Sequence, residues 1–379
     1  MIEGQGVLTI EILTDAANLA ALQPEWRELA TTVHPRTPFA LPEWHLTWWR
    51  HFQRDSAMIR DTLRVYVLRD DEGRLVAVAP MMMTHRPAVG PLCTRELQFF
   101  GADPYMTELR GPICRAEDCA RVVDALAAQF ACEAGAWDWV QWHGVRLEAE
   151  RDADALAARL GITEPVPLID YVLKLPASWD ALRAQLPRNI KESLRKCYNS
   201  LARNGHEFTF RAVAAPEDIG PALERFFALH RMRADKTDTI DHLNVFEPEI
   251  TRRFLLDLGA QLAETGEILV FQLVIADEVV ATRVGFVLGD ELYLYFSGYD
   301  VAWGRYSVMT TVLAEAIKWA IDTGFAVVNL STGTDVSKTR WRPDEITYLG
   351  GFQRAPALRS RIAYAIANDL RRRVRDLRK

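Results

Sequence analysis

The sequence predicts an α/β protein of mixed sheets, built as two similar halves, and three observations carry that expectation. Residues 291–341 read as a strand, a helix and a second strand. Segments of period two and of period 3.6 alternate along the rest of the chain. LQFFGAD at Leu97–Asp103 matches LYFSGYD at Leu294–Asp300, with Leu, Phe, Gly and Asp in register. The two stretches lie too far apart for a short solenoid repeat, so a duplicated domain fits better.

In the first half, Val7–Leu13 reads as a strand, and Thr14-Asp15 caps a helix carrying Leu19, Leu22, Trp26 and Leu29. A second helix begins near Pro42 and holds Trp44, Trp48, Trp49 and Phe52, read as core packing. Strands at Thr62–Arg69 and Arg74–Met83 flank a hairpin turn at Asp70–Gly73. A strand at Arg95–Phe100, a helix at Ala116–Ala134, a strand at Trp137–Trp142 and a short helix at Asp152–Leu160 complete it. The prolines in EPVPLIDYVLKLP mark the domain boundary, giving units 1–165 and 166–356 and a tail, 357–379.

The second half opens with a helix capped by Ser178, interrupted at Pro187 and continued as a basic helix, Asn189–Asn204. A strand, Glu207–Val213, two helices, Pro216–Ala234 and Pro248–Thr265, and a hairpin, Ile268–Ala276 with Val279–Leu288, precede the 291–341 unit. There Leu292, Leu294 and Phe296 alternate with Tyr293, Tyr295 and Ser297. Ser307 is read as the helix cap, Gly324 as its stop, and Phe325–Leu330 as a buried parallel strand running into a polar loop. Where the first copy has Gln98, Phe100 and Ala102, the second has Tyr295, Ser297 and Tyr299, which places the chemistry in the second copy.

A formal net charge of −6 and a pI near 5.8 argue against general nucleic-acid binding. The five cysteines are scattered, without C-x-x-C pairs, as expected of buried free thiols in a reducing compartment. The N-terminus lacks a signal-peptide pattern and no apolar run reaches the ~20 residues of a membrane span, so a cytoplasmic location is expected.

A strand–helix–strand unit sets a helix N-terminus beside a strand's carboxyl end, where unpaired N–H groups attract an anion. Gly304, Arg305, Tyr306, Ser307, Val308 and Met309 are therefore the candidates for a phosphate-bearing donor. Asp335 and Lys338 follow the last strand, where α/β ligand sites collect. One reading makes Asp335 a base or amine anchor and Lys338 a donor to a carbonyl or phosphate oxygen; the other makes them a loop ion pair. Tyr299 is placed either to protonate a leaving thiolate or as a satisfied core aromatic. His230 and Arg233 share a helix face and line an acceptor pocket or merely cover that face, and Arg188 on the basic helix suits an anionic acceptor. From Arg359 to Lys379, eight basic residues flank an apolar stripe of Ile362, Ile366, Leu370, Val374 and Leu377. Such a helix either lies on an anionic membrane surface, docks a partner or packs on its own domain.

The order of elements, twice over, resembles the tandem GNAT-type acyltransferases, and among them the CelD/BcsL-like group related to Fem-type peptidoglycan aminoacyltransferases. LYFSGYDVAWGRYSVMTTVLAEAIKWAIDTG looks like that family's strand and donor-binding helix, and NLSTGTDVSKTRW like its Gly-Asp-x-x-x-Lys-x-x-Trp ending. FFALHRMRADK looks like its Leu-His-x-x-Arg segment, and LPRNIKESLRKCYNSLARNG like the basic helix opening its second domain. The resemblance implies two tandem GNAT-like domains, the first degenerate. It also implies an N-acyltransferase using acetyl-CoA or another acyl-CoA, with a small-molecule or sugar-linked amine as acceptor, such as an amino sugar of a cell-surface polysaccharide precursor. GNAT enzymes usually show Arg/Gln-x-x-Gly-x-Gly/Ala at the helix entrance; Trp303-Gly304-Arg305-Tyr306-Ser307-Val308 supplies one glycine and one arginine. Aminoacyl-tRNA, as in the Fem branch, is the competing donor, and a membrane-associated adaptor without catalysis is the third reading.

Overall fold

The computed structural model describes residues 7–87, 93–103, 105–147, 153–236 and 242–376, with side chains described as far as residue 368. The first half runs β1 (Thr9–Leu13), α1 (Ala16–Ala21), α2 (Gln23–Thr32), α3 (Pro42–Phe52), β2 (Arg60–Leu63), β3 (Val65–Arg69), β4 (Leu75–Ala79) and β5 (Met81–Pro87). It continues with β6 (Cys93–Phe99), β7 (Ile113–Cys114), α4 (Cys119–Cys132), β8 (Trp139–Arg146), α5 (Ala153–Leu160) and β9 (Ile162–Lys174). After it come α6 (Trp179–Gln185), α7 (Arg188–Arg203), β10 (Phe208–Val213), α8 (Pro216–Ala234), α9 (Glu249–Ala263), β11 (Ile268–Ile275), β12 (Glu278–Leu288) and β13 (Glu291–Tyr299). The chain closes with α10 (Val308–Thr323), β14 (Val327–Thr332), α11 (Val336–Thr339), β15 (Asp344–Arg354) and α12 (Leu358–Asp376).

Eleven strands form one sheet in the order β10-β11-β12-β13-β14-β9-β15-β8-β6-β5-β2, and β1-β3-β4-β7 form a smaller one. The hairpin expected around Asp70–Gly73 is divided between them. Its arms break at Arg64 and Pro80, so β3 pairs β4 in the small sheet while β2 pairs β5 in the large one. Pro80 cannot continue a ladder as a donor, and its carbonyl instead accepts the Phe100 N–H at 2.8 Å. β9 runs through residues 165 and 166, so the two halves meet inside a strand. Beyond Trp341, where the sequence pattern marks no element, the chain forms a strand: β15 pairs β9 on one side and β8 on the other. Gly350 and Gly351 interrupt its apolar pattern and mark its register shift, which hid it from a period-two reading.

The duplication is visible in topology. β6 pairs β8 in parallel over three residue pairs, and β13 pairs β14 in parallel over three. In each half a hairpin precedes this pair and a helix connects it. Both halves also share a core: Trp44 of α3 packs edge-on against Phe254 and Phe286, at ring centroid separations of 5.3 and 6.0 Å. Arg27 holds Glu267 with two bonds of 2.9 Å, and Glu291 accepts from the Arg36 N–H at 2.9 Å. All five cysteines are free; Cys132, at the end of α4, is exposed rather than buried because that turn faces solvent.

The basic tail begins by packing on its own sheet. Arg359 and Ser360 both donate to the fully buried Asp138 at 2.7 Å, and Tyr364 packs against Trp139. Ala363 and Tyr364 make this contact, whereas Ile362 of the expected apolar stripe is 49% exposed. Leu377–Lys379, and the side chains of Leu370 and Val374, lie outside the described residues. No helix among the described residues is long and apolar enough to cross a membrane.

Helix α8 crosses β13 at Gly298, where a Cβ would lie 2.5 Å from the His230 nitrogen and 2.7 Å from the Leu229 carbonyl carbon. Backbone cannot yield there as a side-chain tip would. Gly298→Ala is expected to cost about 2–3 kcal/mol in chemical denaturation. Gly135→Ala, which meets nothing within 4 Å, should stay within about 0.5 kcal/mol of wild type.

Candidate active site

The ladder between β13 and β14 ends at Tyr293 opposite Asn329, yet β13 runs on to Tyr299 and β14 to Thr332. The strands part at their carboxyl ends and leave a wedge whose backbone groups need other partners. Glu108, from the loop after β6 in the first half, supplies one. Its Oε2 accepts from the Tyr293 hydroxyl at 2.7 Å and from the Thr332 N–H at 3.2 Å. Ser331 sits at φ 66°, a left-handed conformation that costs on the order of 1–3 kcal/mol for such a residue. Its N–H donates to Asn329 Oδ1 at 2.7 Å, and its hydroxyl accepts from Lys338 Nζ at 2.8 Å. Lys338 also donates to the Thr332 carbonyl. Asn329 Nδ2 donates to Asp170 Oδ2 at 2.7 Å, while Asp170 Oδ1 is buried without a partner among the described residues.

Burial shifts these groups toward neutrality. Asp170 is pushed up to about 7, by burial first and by the Glu108 charge, against the Asn329 hydrogen bond. Glu108 is raised by burial, with Lys338 opposing. Lys338 is lowered by burial, with Glu108 opposing. Glu108, Lys338 and Tyr299 nevertheless keep some solvent exposure, so the wedge is not sealed.

Two faces flank it. On the α8 face, Arg233 Nη1 donates to Ser297 Oγ at 2.8 Å and Nη2 to His242 Nε2 at 2.9 Å. His230 Nδ1 donates to the Ser297 carbonyl at 3.0 Å, which orients the ring and ties α8 to β13. On the opposite face, α10 packs on Leu292, Leu294, Val328 and Leu330. Its entrance differs from the expected cap: Val301–Tyr306 form a 3-10 turn, and Ser307 joins that turn to α10 at φ 56° with no capping hydrogen bond. The left-handed backbone points the hydroxyl away from the N2 and N3 amides that a capping side chain serves. Ser307 and Arg305 are exposed there, and the Arg305 guanidinium lies 4.7 Å from the Tyr306 ring centre. Arg340 reaches this entrance from the end of α11: its Nη2 donates to Thr310 Oγ1 at 3.0 Å, and its Nε is buried without a partner among the described residues. Tyr299 spans the two faces, packing under Gly304 and acting electrostatically on Arg233.

The structure thus brings together Asp335, Lys338, Tyr299, His230 and Arg233, with Gly304–Met309 nearby. Arg188 stands apart: its side chain is 91% exposed at the start of α7 and pairs with Glu192. Tyr306 and Val308 are buried structural positions, the Tyr306 hydroxyl lying 3.1 Å from His206 Nε2. Asp335 accepts the Ser337 N–H at 2.6 Å as the cap of α11. Burial raises its carboxyl, but that bond, Lys338 and Arg233 outweigh it and leave it below the ordinary range. Lys338 reaches back to Ser331 and Thr332, so no loop ion pair with Asp335 forms. Sequence reasoning missed Glu108, Asp170, Arg283 and Arg340. Asp170 and Arg283 did leave a signal: each is the lone charge in the middle of an apolar strand.

The equivalent gap in the first half is narrowed by backbone. A Cβ on Gly111 would lie 2.6 Å from the Gly144 carbonyl oxygen and 2.9 Å from that of His143. The backbone at Arg110–Gly111 therefore runs against β8 where it leaves β6, and the cavity left beside it is lined by Gly111, Cys119, Gly144 and Arg146.

Residues 188–340 match the family model of the acetyltransferase (GNAT) domain. The matched stretch contains both the α10 entrance and the β14 side of the wedge. No curated protein matches the chain. Among solved structures, FemX is 10% identical, with 90% of this chain and 96% of that one covered at a TM-score of 0.55. A C-terminal domain assigned to a lysylphosphatidylglycerol synthetase from Agrobacterium fabrum is 12% identical, with 93% and 97% covered at 0.50. A tandem GNAT protein from the clavulanic acid biosynthesis pathway is 11% identical, with 93% and 99% covered at 0.44. At these identities the likeness to FemX and to the synthetase domain is one of fold, mixed α/β as expected.

Asp170 allows a test of this electrostatic picture. A carboxyl whose folded pKa lies above its unfolded value of 3.8 stabilises the fold at low pH, and that stability is lost as pH rises toward 7. Asp170→Asn should match wild type near pH 4 and exceed it by about 2–4 kcal/mol at pH 8 in urea denaturation. Parallel pH profiles for the two proteins would contradict the assignment.

Proposed function

We propose that the chain is an N-acyltransferase that draws its acyl group from a CoA thioester and passes it to an amine through the β13–β14 wedge. The parting of those strands carries this reading, because it joins an anion-attracting helix entrance on one face to a pocket of polar side chains on the other. The donor's phosphates would meet Arg305, Arg340 and the exposed first turn of α10. Arg340 suits such a contact because its buried Nε has no acceptor among the described residues, and a phosphate oxygen would supply one. Gly304 lets a carrier approach the backbone closely, where a side chain would fill the space over Tyr299.

In the reaction the amine nitrogen attacks the thioester carbonyl, the C–N bond forms and the C–S bond breaks. The amine's proton passes to Glu108, whose proton affinity burial raises. Lys338, aimed into the wedge by Ser331, donates to the oxygen that gains charge. Tyr299, between the two faces, returns a proton to the departing thiolate. Asp335 stays ionised and balances the cations around it. Holding both substrates across one gap supplies a large part of the rate by proximity.

An amino sugar is one acceptor of this kind. The aminoacyl-tRNA reading keeps one specific support: Arg195, Lys196 and Arg203 are exposed on α7, which packs beside the α10 entrance. Titration with acetyl-CoA and with charged tRNA separates the two. Micromolar acetyl-CoA affinity is expected, weakened about 10–100-fold by Arg340→Ala and less by Arg305→Ala. Absence of acetyl-CoA binding with tRNA retained would overturn the CoA reading.

A further inference from the structure

Arg283 on β12 is the least satisfied charge on the α8 face. It is 8% exposed, and its Nε is buried with no hydrogen-bond partner among the described residues. Its register partner is Ser297, so both side chains point to the face on which Arg233 grips the Ser297 hydroxyl. Burial first, and then the neighbouring Arg233 charge, pull Arg283 down to about 10, with Asp335 the acid that opposes them. It still carries its proton at neutral pH. A buried cation without a paired anion is strongly unfavourable unless a ligand completes the pair.

The kind of anion follows from the charge balance. Arg233 and Arg283 bring two cations to this face, and Asp335, the acid that acts on both, brings one negative charge, which leaves one positive charge over. A singly charged carboxylate matches that surplus; a phosphate dianion exceeds it. Two planar guanidiniums on one face also suit the flat carboxylate fork. Lys338 feels the charges of both Arg283 and Glu108, so the surplus lies next to the wedge. We propose that the acceptor is an amine bearing its own carboxylate, held by Arg283 and Arg233 while the amine faces Glu108. This rests on the transferase reading, and binding is measured apart from transfer so that the two can fail separately.

Calorimetry without donor would compare 4-aminobutyrate, n-butylamine and O-phosphoethanolamine on wild type and on Arg283→Met. Transfer from acetyl-CoA to each amine would be followed by free-thiol release. Wild type should bind and acylate 4-aminobutyrate at least 30-fold better than n-butylamine, and Arg283→Met should erase that preference while raising the Tm of the free protein. Arg283→Lys, which keeps the charge and loses the fork, should recover part of it. Equal use of n-butylamine, an unchanged preference in Arg283→Met, or a lowered Tm would overturn the proposal and leave the transferase reading standing. Preference for O-phosphoethanolamine would overturn it in favour of a phosphate. Carboxylate binding lost in Arg283→Met, without transfer to any amine, would keep the anion site and sink the transferase reading.

Discussion

The bridge made by Glu108 is the contact on which the second half depends. Where β13 and β14 stop pairing, a hydroxyl and a backbone N–H would face each other across a gap with nothing to satisfy them. One carboxylate oxygen serves both. A closed ladder would seal the sheet, and an open gap with no bridge would leave buried polar groups unpaired at about 1–3 kcal/mol each. The bridge keeps the strands apart without that penalty, and it does so with a group from the other half of the chain.

This explains how two copies of one pattern came to differ. Both have a parallel strand pair that separates after three residue pairs. In the first, the loop after β6 narrows its own gap with backbone, at a distance only Gly111 and Gly144 permit. On its way there the same loop carries Met106 and Glu108, which accept from Tyr295 and Tyr293 of the second copy. Its insertion narrows one gap and furnishes the other. The second copy has a short 3-10 turn at that point, so its helix entrance stays exposed beside the wedge.

Much of the architecture is legible in local pattern. The helices at Pro42 and Pro216 and the hairpin at Ile268–Leu288 follow from proline placement and apolar periodicity, which act over a few residues. The near-repeat at Leu97 and Leu294 points to the duplication and to the second copy as the place of Tyr299. What escapes is non-local. β15 carries two glycines and is a strand only because β9 and β8 lie on either side of it. Glu108 sits in an irregular loop whose sequence says nothing of where it ends up. Arg340 reads as part of a polar ending, and its contact with Thr310 arises only when α11 folds back over the α10 entrance. Asp170 and Arg283 are visible as lone charges in apolar strands, a pattern that warrants suspicion because burying an unpaired charge is so unfavourable.

The wedge therefore belongs to neither half. Glu108 comes from the first, Lys338 and Ser331 from the second, and Asp170 from β9, the strand the halves have in common. β15 leaves the second unit to pair with β8 of the first, and Trp44 of the first packs into the rings of the second. Motion of one half as a rigid body would break the Glu108 bridge, the β15 ladder and this shared core together. Movement around the wedge must instead come from short segments at the rim, such as the 3-10 turn at the α10 entrance, whose side chains are largely exposed. A site assembled this way trades domain movement for fixed charge positions, which is the condition under which a preorganised polar wedge can stabilise a developing oxyanion.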